Sequence, residues 1–341
     1  MPDQIRIEHE RLVTLIAQVL ADLGVRSPAC TVEAEVMVEA DLLGVPSHGV
    51  RTLPMLVYAL KQGRANANPQ LKITRERAAT CVIDGDNGIG RYVSVEAMQH
   101  AVARAKIFGV GVCLANRVTH WGRAHAYAYR AAQAGCIGIC TTNAIPNMLG
   151  WNSKLPLLGN NPLAIGVPRG SQDPVVLDMA MSQAAIGKVG TYLREGKAAP
   201  LNWGLDADGN PTSDPASILA SRRMLPFGDY KGVGLAVMLE LITGALAGGL
   251  LSQEIVKRDS TGLDADSTKL FIALDVAAFV DPTRLTQRID DLLADLRNAE
   301  PGLQIDYPGD RGWQTRARYL ADGIPLHSEI VEQLKTVGVR L

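Results

Sequence analysis

The chain has 341 residues, room for about two domains of ordinary size, and is 47% hydrophobic and 20% charged, which supplies a core and argues against disorder. Lys plus Arg total 34 against 35 Asp plus Glu, a formal charge of −1, so there is no broad basic field to coat a nucleic acid. Aromatics at 5% and 33 glycines suit close-packed α/β architecture better than an all-β sandwich.

The opening MPDQIRIEHERL is polar, carries both signs of charge and has no apolar run of the kind a secretory signal needs, which fits a cytoplasmic protein. Residues 6–24 then place Leu12, Leu15, Ile16, Val19, Leu20 and Leu23 at helical spacing, with Gly24 as the stop. A second helix is expected over 28–43, with Val32, Val36, Ala40 and Leu43 on its buried stripe and Glu33, Glu35 and Glu39 on a solvated face. Leu53, Leu56, Val57 and Leu60 form the stripe of a third helix, which stops at Gly63.

Beyond residue 78 strands and helices alternate. Residues 80–84, 110–115, 136–142, 174–178 and 270–276 read as strands; 92–108, 124–134 and 282–298 read as helices, the last on the surface. That order indicates an α/β layered domain. Helices at 311–321 and 326–337 suggest that the chain end returns to the first module. The domains expected are therefore 1–75 plus 305–341, helical, and 76–304, α/β. The apolar run 232–251 is about long enough to cross a bilayer. Glu240 near its middle and the lack of a flanking basic cluster instead predict a core helix, between subunits or under a sheet. No partner membrane is expected.

Five cysteines, Cys30, Cys81, Cys113, Cys136 and Cys140, are odd in number, irregularly spaced and without a CxxC pair, so neither a disulfide framework nor a zinc ribbon is implied. His125 follows His120 by five positions rather than the four that align two imidazoles on one helical face, and no HExxH occurs; no metal site is expected. The order of spacings in GDNGIG (85–90) is wrong for the dinucleotide fingerprint, and neither GxxxxGK[ST] nor GxSxG is present. DADGNP (206–211) lacks the glycine and glutamate of a calcium loop and reads as a turn.

Five segments have side chains suited to chemistry. In PSHGVR (46–51), His48 stands beside a glycine just before a helix start, where it either passes a proton or caps the helix, and Arg51 either grips a carboxylate or is solvated. In THWGR (119–123), His120 leaves the end of a buried strand and is a second acid–base candidate or a satisfied core histidine. TTNA (141–144) ends another strand with hydroxyls and an amide able to bond an amide, ribose or carboxylate. DMAMS (178–182) is a strand end or a plain helix cap, and GDYKG (228–232) sets Lys231 at a helix start, where it meets a phosphate or solvent.

Taken in order, SHGVR (47–51), THWG (119–122), TTNA (141–144), PLLGNNPLAIGVP (156–168), DMAMS (178–182), DADGNPTSDP (206–215) and LPFGDYKGVGL (225–235) resemble the type 2 malate/L-lactate dehydrogenase family of sulfolactate-dehydrogenase-like oxidoreductases, nearest its 2,3-diketo-L-gulonate reductase branch. The resemblance implies an α/β, non-Rossmann fold binding NAD or NADP, NADH slightly favoured, and a homodimer with its site near the subunit interface. It implies His48 as proton donor, with the histidine matching His120 taking that role in a related branch. Cofactor-contacting positions carried over are Thr142, Ala144, Val176, Leu177, Asp178, Met179, Ala180, Tyr230, Lys231, Gly309, Asp310 and Arg311. Substrate-side candidates are Ser47, Arg51, Thr52 and Asn143; relatives place an arginine where this chain has Thr52, with Arg51 one position earlier. The expected reaction is hydride transfer at C2 of a small 2-oxo or 2-hydroxy acid. The alternatives are reduction of a cyclic ketimine and a non-catalytic ligand-binding role.

Overall fold

The computed structural model describes residues 4–258, 266–300 and 302–341. Its centre is a seven-stranded mixed sheet in the order Lys72–Arg77, Thr80–Gly88, Val110–Val118, Ser267–Asp275, Cys136–Thr142, Leu163–Arg169, Gln172–Met179. Only Thr80–Gly88 and Val110–Val118 run parallel; every other neighbouring pair is antiparallel. The alternation of strands and helices along the chain does not reveal this, because Ser267–Asp275 inserts between two strands made far earlier.

The helices Gly90–Phe108 and His125–Gln133 cover the sheet, and small residues bring them close. A Cβ on Gly111 would lie 1.9 Å from the Ala101 carbonyl, and one on Gly166 would lie 2.5 Å from that of Ala128. Cys81, Cys113, Cys136 and Cys140 sit in this core with Trp121, Tyr127 and Phe271, and all five cysteines are buried free thiols.

A second core draws on residues near both ends: Leu12, Ile16, Leu20, Met37 and Leu53 pack with Ile324, Leu326, Val331 and Leu334. The expected helix over 6–24 begins only at His9, because Gln4–Ile7 is a strand paired antiparallel with Ile324–His327. That pairing also shortens the last helix to Ser328–Thr336. The strand Lys72–Arg77 crosses residue 75, where a domain edge was expected, and its pairing with Thr80–Gly88 makes it part of the sheet.

The helix Ala29–Leu42 departs from its expected polarity. Glu35 is exposed, but Glu33 is fully buried and Glu39 is partly so. This helix packs against His9–Asp22 on one side and Gly90–Phe108 on another, so it has no single solvated face. Its acids are matched instead by Arg91 and Arg130, each at 2.8–2.9 Å.

The run 232–251 forms the helix Tyr230–Glu240, which continues through a π-helical turn, Leu241–Ala245. One face buries Val233, Ala236 and Leu239; the other leaves Val237, Met238, Leu241 and Leu246 exposed. Glu240 is buried with every bond met: one oxygen accepts from Asn143 Nδ2 and Ser252 N, the other from Asn161 Nδ2 and Ser252 Oγ. Among the described residues, no helix is long and apolar enough to cross a membrane.

Candidate active site

The chain leaves the helix Ala29–Leu42 and makes two short 3-10 turns, Pro46–His48 and Val50–Thr52, before the helix Leu53–Lys61. The joint between the turns is Gly49. Just behind it, the buried carboxylate of Asp41 accepts the Val50 N–H at 2.7 Å. His48 projects from this joint, its Nδ1 bonded to Ser47 Oγ at 3.0 Å.

His120 arrives from the sheet, two residues past the end of Val110–Val118. The N–H of Gly122 donates to its Nδ1 at 3.3 Å, which leaves Nε2 as the protonated nitrogen of the neutral ring. The two imidazoles stack, with centroids 6.1 Å apart and planes 14° from parallel.

Electrostatics keep both rings neutral near pH 7. Burial pushes His48 down to about 4; Asp178 opposes this, while Arg123, Arg91 and Arg51 reinforce it. His120 lies well below the usual histidine value, through burial first and then Arg91, His48 and Lys269. Burial raises the Asp41 carboxyl to about 7 despite the Val50 N–H and the nearby Arg91 and Arg51.

His48 opens onto a cleft of about 940 Å³. Ser47 and His48 form one wall and Val176, Leu177, Asp178, Met179 and Ala180 another, with Gly309 and Arg311 at the start of the helix Asp310–Asp322. Two bonds fix that helix start to the sheet edge: Val176 N to the Pro308 carbonyl at 3.2 Å and Trp313 Nε1 to the Pro174 carbonyl at 2.9 Å. Gly309, at φ +97, lets the turn close, since a Cβ there would sit 3.0 Å from Trp313 Nε1. Across the cleft, Arg123 Nε bonds Asp178 Oδ2 at 2.5 Å. His120 and Thr52 instead line a small cavity of about 20 Å³ with Met55, Leu56 and Arg91.

The remaining sequence candidates stand elsewhere. Asn143 is buried with its side chain committed to Glu240, the Leu250 carbonyl and Thr268 N. Thr142 Oγ1 donates to the carbonyls of Asn143 and Thr268, and Ala144 N donates to Asn161 Oδ1. Tyr230 and Lys231 are exposed at the start of the apolar helix. Asp310 is buried against Arg297 at 3.1 Å. Arg51 lines neither cavity; its Nη1 is buried with no hydrogen-bond partner among the described residues, in the field of Arg194, Glu329 and Asp41. Sequence reasoning passed over Arg91 and Asp41, placed Glu33 on a solvated face, and named Asp178 without pairing it with Arg123. The arginine directly after THWG and the aspartate of DMAMS were the available signals for that pair. Among the described residues, no three His, Cys, Asp or Glu side chains cluster to hold a metal ion.

The malate/L-lactate dehydrogenase family model matches residues 7–335. The chain belongs to that family. It is 36% identical to the L-sulfolactate dehydrogenase of Methanocaldococcus jannaschii over 97% of this chain and 96% of the relative. Among solved structures, the malate dehydrogenase of Entamoeba histolytica superposes with a TM-score of 0.94 at 28% identity, covering 99% of each chain. The delta1-piperideine-2-carboxylate reductase of Pseudomonas syringae superposes at 0.88 with 28% identity, covering 98% of this chain and 100% of that one.

Proposed function

We propose that this family member transfers a hydride between a nicotinamide cofactor, NAD or NADP, and C2 of a small 2-oxo or 2-hydroxy acid, with His48 moving the proton. The observation that carries the reading is the stacked His48–His120 pair, of which His48 opens onto the large cleft. The cleft suits a dinucleotide in three ways. Its volume of about 940 Å³ is of the right order. The first turn of Asp310–Asp322 offers N–H groups that intrahelical bonding leaves free, a natural seat for a diphosphate. Glycine at 309 keeps side-chain bulk off that turn. When bound, the cofactor supplies or takes the hydride.

The chain's own residues do the rest. Ser47 Oγ holds His48 Nδ1, so that Nε2 serves the substrate oxygen. A neutral His48 that donates its Nδ1–H to Ser47 Oγ accepts the proton of a hydroxyl at Nε2 during oxidation and becomes an imidazolium; in reduction that imidazolium delivers the proton as alkoxide charge develops. Asp178 favours the transient imidazolium, and Arg123 tempers it. His120 orients the ring beside it, and Thr52 belongs to the substrate side, next to His120.

The exposed apolar face of the helix Tyr230–Glu240 and its π turn supports a homodimer. Met238 at 54% and Leu241 at 47% exposure, with the Trp151 ring tilted against that of Tyr230, form a patch that a second copy would bury. Five free thiols support a reducing, cytoplasmic setting. A second reading, reduction of a cyclic ketimine beside a carboxylate, is favoured by the likeness to the piperideine-carboxylate reductase.

The test assays 2-oxo acids, sugar acids and cyclic imino acids with NADH and NADPH, on the native protein and on His48→Ala and His120→Ala. Oxidation of the reduced cofactor by a keto acid, lowered about 10²–10⁴-fold in His48→Ala, is expected. Turnover with imines alone would install the second reading, and a native rate in His48→Ala would remove the histidine from its role.

A further inference from the structure

Beneath the two histidines lies an ion pair that none of these steps uses. Arg91, in the first turn of Gly90–Phe108, meets Glu33 of Ala29–Leu42 at 2.8 Å, the side chains 2% and 0% exposed. Burying two charges costs about as much as their attraction returns, so such a pair is a weak source of stability. Its geometry points to something else.

The guanidinium reaches both histidine loops. Arg91 Nη2 donates to the His48 carbonyl at 3.2 Å and to Thr52 Oγ1 at 2.8 Å. On the other side it lies against the loop of His120: a Cβ on Gly122 would be 2.7 Å from Arg91 Nε. That Nε is buried and has no hydrogen-bond partner among the described residues. Glu33 fixes the fork from below, one oxygen on Arg91 Nη1 and the other accepting the Tyr92 N–H at 3.1 Å.

We propose that Arg91, oriented by Glu33, is a positioning residue that sets the spacing of His48 and His120 by bonding the His48 loop and packing against the His120 loop from the start of one helix. This deepens the reading of His48 as the proton-moving group and rests on it. The same cation also opposes a positive charge on either ring. The charged groups around His48 are Arg91, Arg51, Arg123 and Asp178; those around His120 are Arg91, Lys269 and His48 itself. Asp178 is thus the acid among the charged groups that act on His48.

The test uses the full-length protein carrying Arg91→Lys, and separately Glu33→Met with Arg91→Met. Replacing a whole buried pair with apolar residues of similar length commonly leaves folding intact. The double variant is expected to melt near the native temperature and to bind reduced cofactor, read by fluorescence, within about threefold of native, while hydride transfer falls about 10²-fold because the imidazoles are misplaced. In imidazole-nitrogen NMR, its His48 midpoint rises by about half a unit or more as the cation is lost. Arg91→Lys keeps the charge but not the fork, so it loses rate with little change in that midpoint. Native transfer and a native midpoint in a folded double variant overturn the proposal. Should the double variant not fold, a native rate in Arg91→Lys overturns it. Rate, cofactor affinity and melting temperature falling together would make Arg91 merely structural and would also overturn it. The NMR midpoint reads the nearness of Arg91 to His48 through its charge even if His48→Ala proves fully active, so the two claims fail separately.

Discussion

The carboxylate of Asp41 occupies the space where residue 49 would carry a side chain. A Cβ on Gly49 would stand 2.1 Å from Asp41 Oδ2, the oxygen that already accepts the Val50 N–H. Neither atom has room to retreat, because Asp41 is buried and Val50 is wholly enclosed. Gly49→Ala is therefore expected to destabilise the protein by about 1–3 kcal/mol, the usual range for forced overpacking. Displacing the joint also moves His48, so hydride transfer should fall in protein that is still folded. Urea unfolding beside single-turnover rates checks both; an alanine variant with native values in each contradicts the account.

Asp41 gives stability a pH dependence of definite sign. Its folded-state pKa is about 7 against an ordinary 3.8, so the fold favours the protonated acid. That contribution is complete below about 3.8 and is lost as pH rises through about 7. Asp41→Asn does not ionise, so its stability relative to the native protein should climb across this window by a few kcal/mol, on the order of the shift at ~1.4 kcal/mol per unit. Unfolding free energies of the two proteins at several pH values give the difference. A difference flat in pH would be inconsistent with a buried, reluctant carboxylate.

His48 acts in the opposite sense. Its pKa of about 4 in the fold lies below the ordinary 6.5, so its contribution is complete above 6.5 and fades as pH falls through about 4. His48→Gln should lose less stability than the native protein over that interval, by on the order of 1–3 kcal/mol, since the ring keeps a partial opening to the cleft. Thermal melts through the acid range measure it. Parallel curves for the two proteins would show that His48 is not held neutral.

Leu241 is 47% exposed on the apolar helix face, with Val237, Met238 and Leu246. If that face joins two copies, Leu241→Glu places a carboxylate in a closed apolar contact, and sedimentation should show the native dimer reduced to single chains. Native protein sedimenting as a monomer would remove the dimer reading. Native association retained in the variant would move the interface elsewhere.

Local signals in the chain exposed much of this design. SHG and THWG announce their histidines because each pairs an imidazole with a glycine at the end of an element, and the apolar stripes of His9–Asp22 and Leu53–Lys61 have one buried side to report. The buried charges were hidden for the opposite reason. Glu33, Glu39 and Asp41 sit on a helix clasped from two directions, where the rule that charge marks the wet side breaks down. Lys72–Arg77 escaped notice because every residue in it is exposed, leaving no alternation to read. The sheet order was also illegible, since the partner of Val110–Val118 and Cys136–Thr142 is Ser267–Asp275, which only long-range packing selects. Arg91 follows a glycine-rich turn that invites attention for the wrong reason, as a failed dinucleotide fingerprint.

The ribbon joining Gln4–Ile7 to Ile324–His327 has a bearing on biosynthesis. Leu12, Ile16 and Leu53 emerge from the ribosome long before Ile324, Leu326 and Leu334, which complete the same packing. A growing chain thus carries an unfinished greasy flank while the whole central sheet is being made, and the scaffold behind His48 closes only once residues 324–334 have emerged.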